Sequence, residues 1–254
     1  MTSRAPLPCP WPLWIAHRGA GKLAPENTLA AFRVGAQHGY KGFECDVKLS
    51  ADGVPFLLHD ATLDRTTSRH GAAADRTWSE IARLDAGRWH SRQYAGEPPA
   101  SFDAVAAFCR ASDYALNIEI KPSPGHEQDT GIVVAHAAER SWRGRNVPPL
   151  LSSFKTEALE GARDAAPALP RALLMEHPFD GWFECASGLG CMAVVCDYMR
   201  ITPEVVDRVH AAGLWAMVYT VNDEAPARWL LSIGIDVLIT DAVDRFSPAA
   251  GRLS

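Results

Sequence analysis

Residues 43–60 read Phe-Glu-Cys-Asp-Val-Lys-Leu-Ser-Ala-Asp-Gly-Val-Pro-Phe-Leu-Leu-His-Asp. Two strand-like runs flank Ser50-Ala51-Asp52-Gly53, and Asp-Gly between such runs signals a hairpin. So short a link cannot join parallel strands, which need a crossover of about a dozen residues. One member of the pair is therefore an antiparallel extra, and this decides how the other runs are counted. Residues i and i+2 of a strand share a face, so Glu44 and Asp46 aim at one spot. Cys45 points the other way, as a small apolar core residue. A turn centred near 51 and 52 sets residue 44 opposite 59 and brings His59 beside both carboxylates. Two acids and an imidazole converging in this way suggest a hard-metal site with an acid–base group next to it.

Strand-like runs recur at 13–17, 42–47, 54–59, 115–120, 150–153, 171–175, 193–197, 215–221 and 236–240. Helical periodicity lies between most of them, at 27–38, 102–111, 131–139, 156–165, 203–212 and 225–231. Thr202-Pro203 and Asn222-Asp223 are helix-start signals. Strands alternating with helices imply βαβ units and a mainly parallel sheet. With the antiparallel run removed, eight parallel strands remain, the count of a (β/α)8 TIM barrel. A doubly wound open sheet is the alternative, but no Gly-x-Gly-x-x-Gly opens a helix. Residues 61–100 break the alternation and read as a small insertion after the third strand-like segment, within one barrel domain spanning 1–254. In it, Thr77-Trp78-Ser79-Glu80 fits a capping box.

The 254 residues suit such a barrel, which needs about 250. Apolar residues make up 47% and charged residues 22%, ordinary for a soluble globular chain. A formal charge of −5 leaves no basic footprint, so nucleic acid is excluded as a partner. Prolines at 6, 8, 10 and 12 break any signal-peptide helix, and no apolar run reaches the ~18 residues of a membrane span. The six cysteines lack Cys-x-x-Cys spacing and read as reduced thiols. Cytoplasmic residence is the expectation; oligomeric state is not legible.

In a (β/α)8 barrel the site forms at the C-terminal ends of the strands. There the sequence places His17-Arg18-Gly19, Pro25-Glu26-Asn27-Thr28, the Glu44/Asp46 pair, His59-Asp60, and Asn117, Glu119 and Lys121 alternating on one face. Ser152-Ser153-Phe154, Tyr219-Thr220-Val221-Asn222 and Thr240-Asp241 follow. Inward acids on apolar strands are costly unless paired or metal-bound. Glu44, Asp46 and Glu119 thus read as metal ligands, with a salt network to Arg18 and Lys121 as the bland alternative. His17 alone could be a core histidine; with His59 it reads as half of an acid–base pair. The other seven histidines read as surface, although His90 and Trp89 could touch a ligand. Asn222 and Asp241 could cap helices or bind. Three carboxylates without cysteine suit one Mg²⁺ or Ca²⁺ rather than zinc, and such a cation suits a phosphate ester. Arg18 and Lys121 would hold the remaining phosphoryl oxygens.

Taken in order from residue 17 to 241, these motifs resemble the glycerophosphodiester phosphodiesterase family. The resemblance implies a distorted barrel with an insertion after the His59 segment, a divalent cation on Glu44, Asp46 and Glu119, and His17 and His59 as acid and base. It implies Arg18 and Lys121 on phosphate, with Tyr219 and Asn222 as further substrate contacts. The implied reaction is hydrolysis of a small glycerophosphodiester to sn-glycerol 3-phosphate and an alcohol, either directly or through a cyclic phosphate. Two positions depart from the family pattern: Tyr219 stands where Trp is usual, and Glu97-Pro98-Pro99-Ala100-Ser101-Phe102 replaces a Pro-Thr-Leu ending. A lysophospholipase D or phospholipase C-like activity on lipids is the second reading. A barrel that binds phosphodiesters without cleaving them is the third.

Overall fold

A computed structural model describes residues 9–246 and 248. The first prolines of the 6–12 stretch, at 6 and 8, lie outside the described residues. Nine strands form one sheet: β1 (Trp14–Ala16), β2 (Gly42–Leu49), β3 (Pro55–Leu57), β4 (Ala115–Ile120), β5 (Leu150–Ser153), β6 (Arg171–Met175), β7 (Ala193–Asp197), β8 (Trp215–Tyr219) and β9 (Val237–Thr240). The order β1-β9-β8-β7-β6-β5-β4-β2-β3, with a further β1–β2 pairing, closes eight parallel strands into a TIM barrel with one extra antiparallel strand. The seam is thin: β1 meets β2 through the single pair Ala16↔Phe43. Above it, the Asp46 carbonyl accepts from Leu58 N–H while the Val47 carbonyl accepts from Lys121 N–H. Successive carbonyls point to opposite edges, so β3 takes the edge of β2 that β1 has left.

The helices are α1 (Leu29–Gln37), α2 (Trp78–Ile81), α3 (Phe102–Ala111), α4 (Glu127–Trp142), α5 (Thr156–Ala165), α6 (Trp182–Gly188), α7 (Pro203–Ala211) and α8 (Glu224–Ser232). Strand side chains alternate between two cores. Phe43, Cys45 and Val47 face the helices, with Leu116, Ile118 and Val218. Ile15, Leu150, Leu174, Val195, Trp215 and Met217 fill the barrel, and Trp11 closes its lower end. Burying a side chain of this size is worth about 1.5–3 kcal/mol, so the two shells hold the strand ends in place.

Three local expectations are corrected. The hairpin ladder pairs Val47 with Leu57, Lys48 with Phe56 and Leu49 with Pro55, one residue away from the register that would set 44 opposite 59. β3 ends at Leu57, so His59 approaches the acids from a bend and not from a ladder position. α6 has no cap signal in the sequence, since Gly181, at φ 83°, precedes it with no side-chain cap, and at seven residues it is short, although Trp182, Ala186 and Leu189 recur at helical spacing. His210, taken as surface, is half-buried, 3.0 Å from Asp236. The insertion holds α2, whose Thr77 N–H donates to Glu80 Oε2 as a capping box requires.

Candidate active site

β2 and β4 run in parallel with Asp46 beside Glu119. The pleat turns Glu44, Asp46 and Glu119 into the upper barrel, where ligand atoms from all three lie within 4.8 Å of one another. They are only 3%, 0% and 8% exposed. Burial, with Asp46 and Glu119 alongside, pushes Glu44 well above the ordinary carboxyl range. Burial and Asp46 raise Glu119 to about 7. Burial would raise Asp46 too, but Arg18, Lys121, His59 and Asn27 outweigh it and hold Asp46 at about 2.

Each acid keeps one buried oxygen without a hydrogen-bond donor: Glu44 Oε1, Asp46 Oδ1 and Glu119 Oε1. Lys121 Nζ stands 3.0 Å from Glu119 Oε1 and 3.6 Å from Asp46 Oδ1, as an ion-pair contact without hydrogen-bond angles. One ammonium shared between two of the three oxygens leaves the trio under-compensated, and buried carboxylates in that state are expensive. Three of them converging, all hard donors, fit a divalent cation. On Glu44 and Asp46 the second oxygen is already engaged. Glu44 Oε2 accepts from Arg18 N–H (3.0 Å), and Asp46 Oδ2 accepts from Asn27 Nδ2 (2.8 Å). Arg18 and Asn27 both sit at positive φ, 51° and 59°. Non-glycine residues rarely adopt that backbone, and here it turns their polar groups toward the acids.

Two histidines flank the cluster, each backed by a carboxylate. His17 Nδ1 is 2.7 Å from Asp241 Oδ1, and its Nε2 faces Glu44 Oε2 at 3.8 Å. His59 Nδ1 is 2.7 Å from Asp60 Oδ1. A carboxylate on Nδ1 fixes that nitrogen as the N–H and leaves Nε2 as the acceptor nitrogen of the neutral ring. Burial lowers His59, against the raising effect of Asp46. Burial would raise Asp241, but the hydrogen bond and charge of His17, with Arg18 and Asn222, together hold it below its usual range.

Several supporting residues could not be assigned from sequence. Arg65, in the insertion, donates to both oxygens of Asp60 (2.7 and 3.0 Å) and both of Glu26 (2.7 Å each). Glu26 in turn accepts from Arg18 Nη1 at 2.9 Å. Lys48, buried, donates to the Lys121 carbonyl at 3.1 Å. Asn222, expected at the substrate, accepts through Oδ1 from Asp241 N–H (2.8 Å) and Thr240 Oγ1 (3.2 Å), which places it behind Asp241. Tyr219 and Phe154 meet edge-on, centroids 6.0 Å apart, and wall a tight cavity of about 20 Å³ with His17, Glu44, Glu119 and Leu174. A wider groove of about 390 Å³ opens on the other side of His17.

Such a mouth, with a buried acid trio between two carboxylate-backed imidazoles, belongs to a hydrolase of the (β/α)8 class. The profile of the "Glycerophosphoryl diester phosphodiesterase family" matches residues 17–245, and the chain belongs to that family of phosphoric diester hydrolases. The chain is 33% identical over 233 residues to a glycerophosphodiester phosphodiesterase of Caldanaerobacter subterraneus subsp. tengcongensis, covering 90% of this chain and 93% of the relative. It is 49% identical over 243 residues to glycerophosphodiester phosphodiesterase 1 of Bos taurus, covering 82% and 71%. Among solved structures, an Oleispira antarctica phosphodiesterase in complex with the product sn-glycerol-3-phosphate superposes with a TM-score of 0.88 at 32% identity, covering 92% and 95%. Among the described residues, no helix is long and apolar enough to cross a membrane.

Proposed function

We propose that this enzyme hydrolyses glycerophosphodiesters to sn-glycerol 3-phosphate and an alcohol, within one barrel domain that carries 61–100 as an excursion. The observation behind this reading is the trio of buried carboxylates on Glu44, Asp46 and Glu119, served by a single ammonium, Lys121, and set between two histidine–carboxylate pairs. A divalent cation, Mg²⁺ or Ca²⁺, held by those three residues would neutralise phosphoryl oxygens and make phosphorus more electrophilic. Lys121 and the free edge of the Arg18 guanidinium bind the oxygens that remain, Lys121 being held by the Lys48 contact to its own carbonyl. His17 and His59 supply the proton traffic: Nε2 of one takes a proton from the nucleophile, water or the glycerol 2-hydroxyl, and Nε2 of the other gives a proton to the departing alkoxide. A cyclic phosphate formed by the hydroxyl route is then opened by water. Asp241 and Asp60 hold the two rings in the tautomer this needs. Tyr219 and Phe154 wall the arm that stays with phosphorus.

A lysophospholipid substrate is the second reading. It rests on Phe154 and Phe179 (both 40% exposed) and Met199 (69%), carried on the loops that follow β5, β6 and β7. The deciding assay is release of sn-glycerol 3-phosphate from sn-glycero-3-phosphocholine by chelator-stripped protein, with and without added Mg²⁺ or Ca²⁺. Release restored by either cation is the expected result. Release from lysophosphatidylcholine alone would favour the lipid reading, and binding without release of either would leave a non-catalytic barrel.

A further inference from the structure

A phosphodiester has two arms, and two cavities flank His17, the residue that lines both. The cavity against Phe154, Leu174 and Tyr219 holds about 20 Å³, space for a water or two, and is too small to take a head group of the choline or inositol size. The groove on the far side holds about 390 Å³ between the β1–α1 loop and the insertion, and reaches Arg18, Lys22, Trp89, His90 and Asp241. We propose that this groove is the subsite for the leaving alcohol, that Trp89 is its specificity wall, and that it takes small polar head groups of the choline, ethanolamine or inositol kind. The proposal rests on the glycerophosphodiesterase reading above.

The wall is built before any ligand arrives. Trp89 Nε1–H donates to the Ala86 carbonyl at 2.8 Å, so the indole has no donor left for substrate. It is 40% exposed, so what it offers a ligand is apolar ring surface. Its edge rests on His90, ring centroids 5.7 Å apart at 88°. His90 is anchored in turn by Nε2 on the Lys22 carbonyl at 3.0 Å, across the groove from its own chain segment. The insertion is clamped to the barrel elsewhere: Glu97 Oε1 accepts from Ala30 N–H at 3.0 Å, in the first turn of α1. A rigid aromatic face recognises a quaternary ammonium through its ring quadrupole, and packs on the carbon face of a polyol. Fixing that face in advance removes the ordering cost of binding. The carboxylates of the groove, Glu26 and Asp241, are committed to Arg18, Arg65 and His17. With those acids committed, Trp89 is the aromatic surface the groove offers a head group, with Lys22 and Arg18 as its cationic lining.

The test compares two diesters that share the glycerol phosphate arm and differ in the alcohol. sn-Glycero-3-phosphocholine reaches Trp89, whereas sn-glycero-3-phosphomethanol, with one carbon, does not. Trp89→Ala is expected to lower kcat/KM for the choline diester about tenfold, through KM. It leaves the methanol diester and the inhibition constant of sn-glycerol 3-phosphate unchanged. Trp89→Phe restores most of the loss. Equal losses on both diesters would show that Trp89 only holds the insertion in place, and no loss on either would show that the head group lies elsewhere; each result overturns the proposal. If the wild-type enzyme with Mg²⁺ or Ca²⁺ released sn-glycerol 3-phosphate from neither diester, the functional reading itself would have failed.

Discussion

At the scale of single residues, the site works by pairing. Asp241 and His17 are separated by 224 positions, yet their contact of 2.7 Å sets which ring nitrogen of His17 carries the proton. Asp241→Asn keeps the shape but lets the amide donate to Nδ1, which turns Nε2 into the protonated atom. The expected loss is about 10–100-fold in kcat with little change in KM, the usual size for a residue that orients a working group. Steady-state kinetics on sn-glycero-3-phosphocholine measure it, and a wild-type kcat would mean that Asp241 does not set the tautomer. His17→Ala should cost about 10²-fold or more, the scale of general acid–base catalysis. The sequence placed Glu44, Asp46, Glu119 and both histidines at one mouth, the acids by their period-two spacing and the histidines by following strand-like runs, and the structure brings these five residues together there. Arg65 was not legible in sequence: nothing in a polar, Arg-rich stretch marks one guanidinium as the bridge between Glu26 and Asp60. Asn222 was read as a ligand contact, since the chain position of a strand-end amide does not say which way its oxygen points.

At the scale of elements, the strands were readable and their pairing less so. β4 to β7 fall at the residues where apolar runs begin and end, because buried parallel strands are apolar on both faces. The β2–β3 register came out one residue away from the turn-based expectation, since a four-residue turn constrains register only to within a residue. The insertion is tied to the mouth by Arg65, and this bridge has a pH signature. Hydrogen bonds from Arg65, with smaller effects of His59, hold Asp60 below its usual range; Arg65 and Arg18 outweigh burial to lower Glu26. A carboxyl with a depressed folded pKa adds stability that is complete above its unfolded value, about 4, and is lost as pH falls through the folded one. Arg65→Ala is therefore expected to cost about 1 kcal/mol at pH 7, discounted because Arg65 is itself 44% exposed in its side chain. That cost should shrink as the pH is taken from 5 toward 2. Urea melts of both proteins across this range measure it. A pH-independent difference would assign the effect to packing of the arginine stem instead of its charge.

At the scale of the whole molecule, the barrel carries a strain of charge at one end that its function requires. Trp215, Met217 and their neighbours fill the lower barrel at ordinary apolar density, whereas the upper layer places three carboxylates where filler would otherwise stand. Glu119 titrates at about 7 in the folded chain against about 4.3 when unfolded. A raised carboxyl pKa means that ionising the folded state costs stability, so the metal-free protein loses stability as pH rises from 4 through 7. A divalent cation on the three acids reverses this, since it binds the folded state and not the unfolded one. Glu119→Gln removes one of the repelling charges while keeping the volume. The expected outcome is an opposed pair of shifts in thermal melts at pH 8. The metal-free variant should melt above the metal-free wild type, each kcal/mol relieved being worth roughly 2–4 °C for a chain of this size. Added Mg²⁺ or Ca²⁺ should raise the wild type and leave the variant nearly unmoved. A variant that melted lower than wild type without metal would mean that Lys121, 3.0 Å from Glu119, already neutralises the trio. The acid cluster would then be a salt network in its own right, and the barrel's upper layer would owe its stability to that network and not to a bound cation.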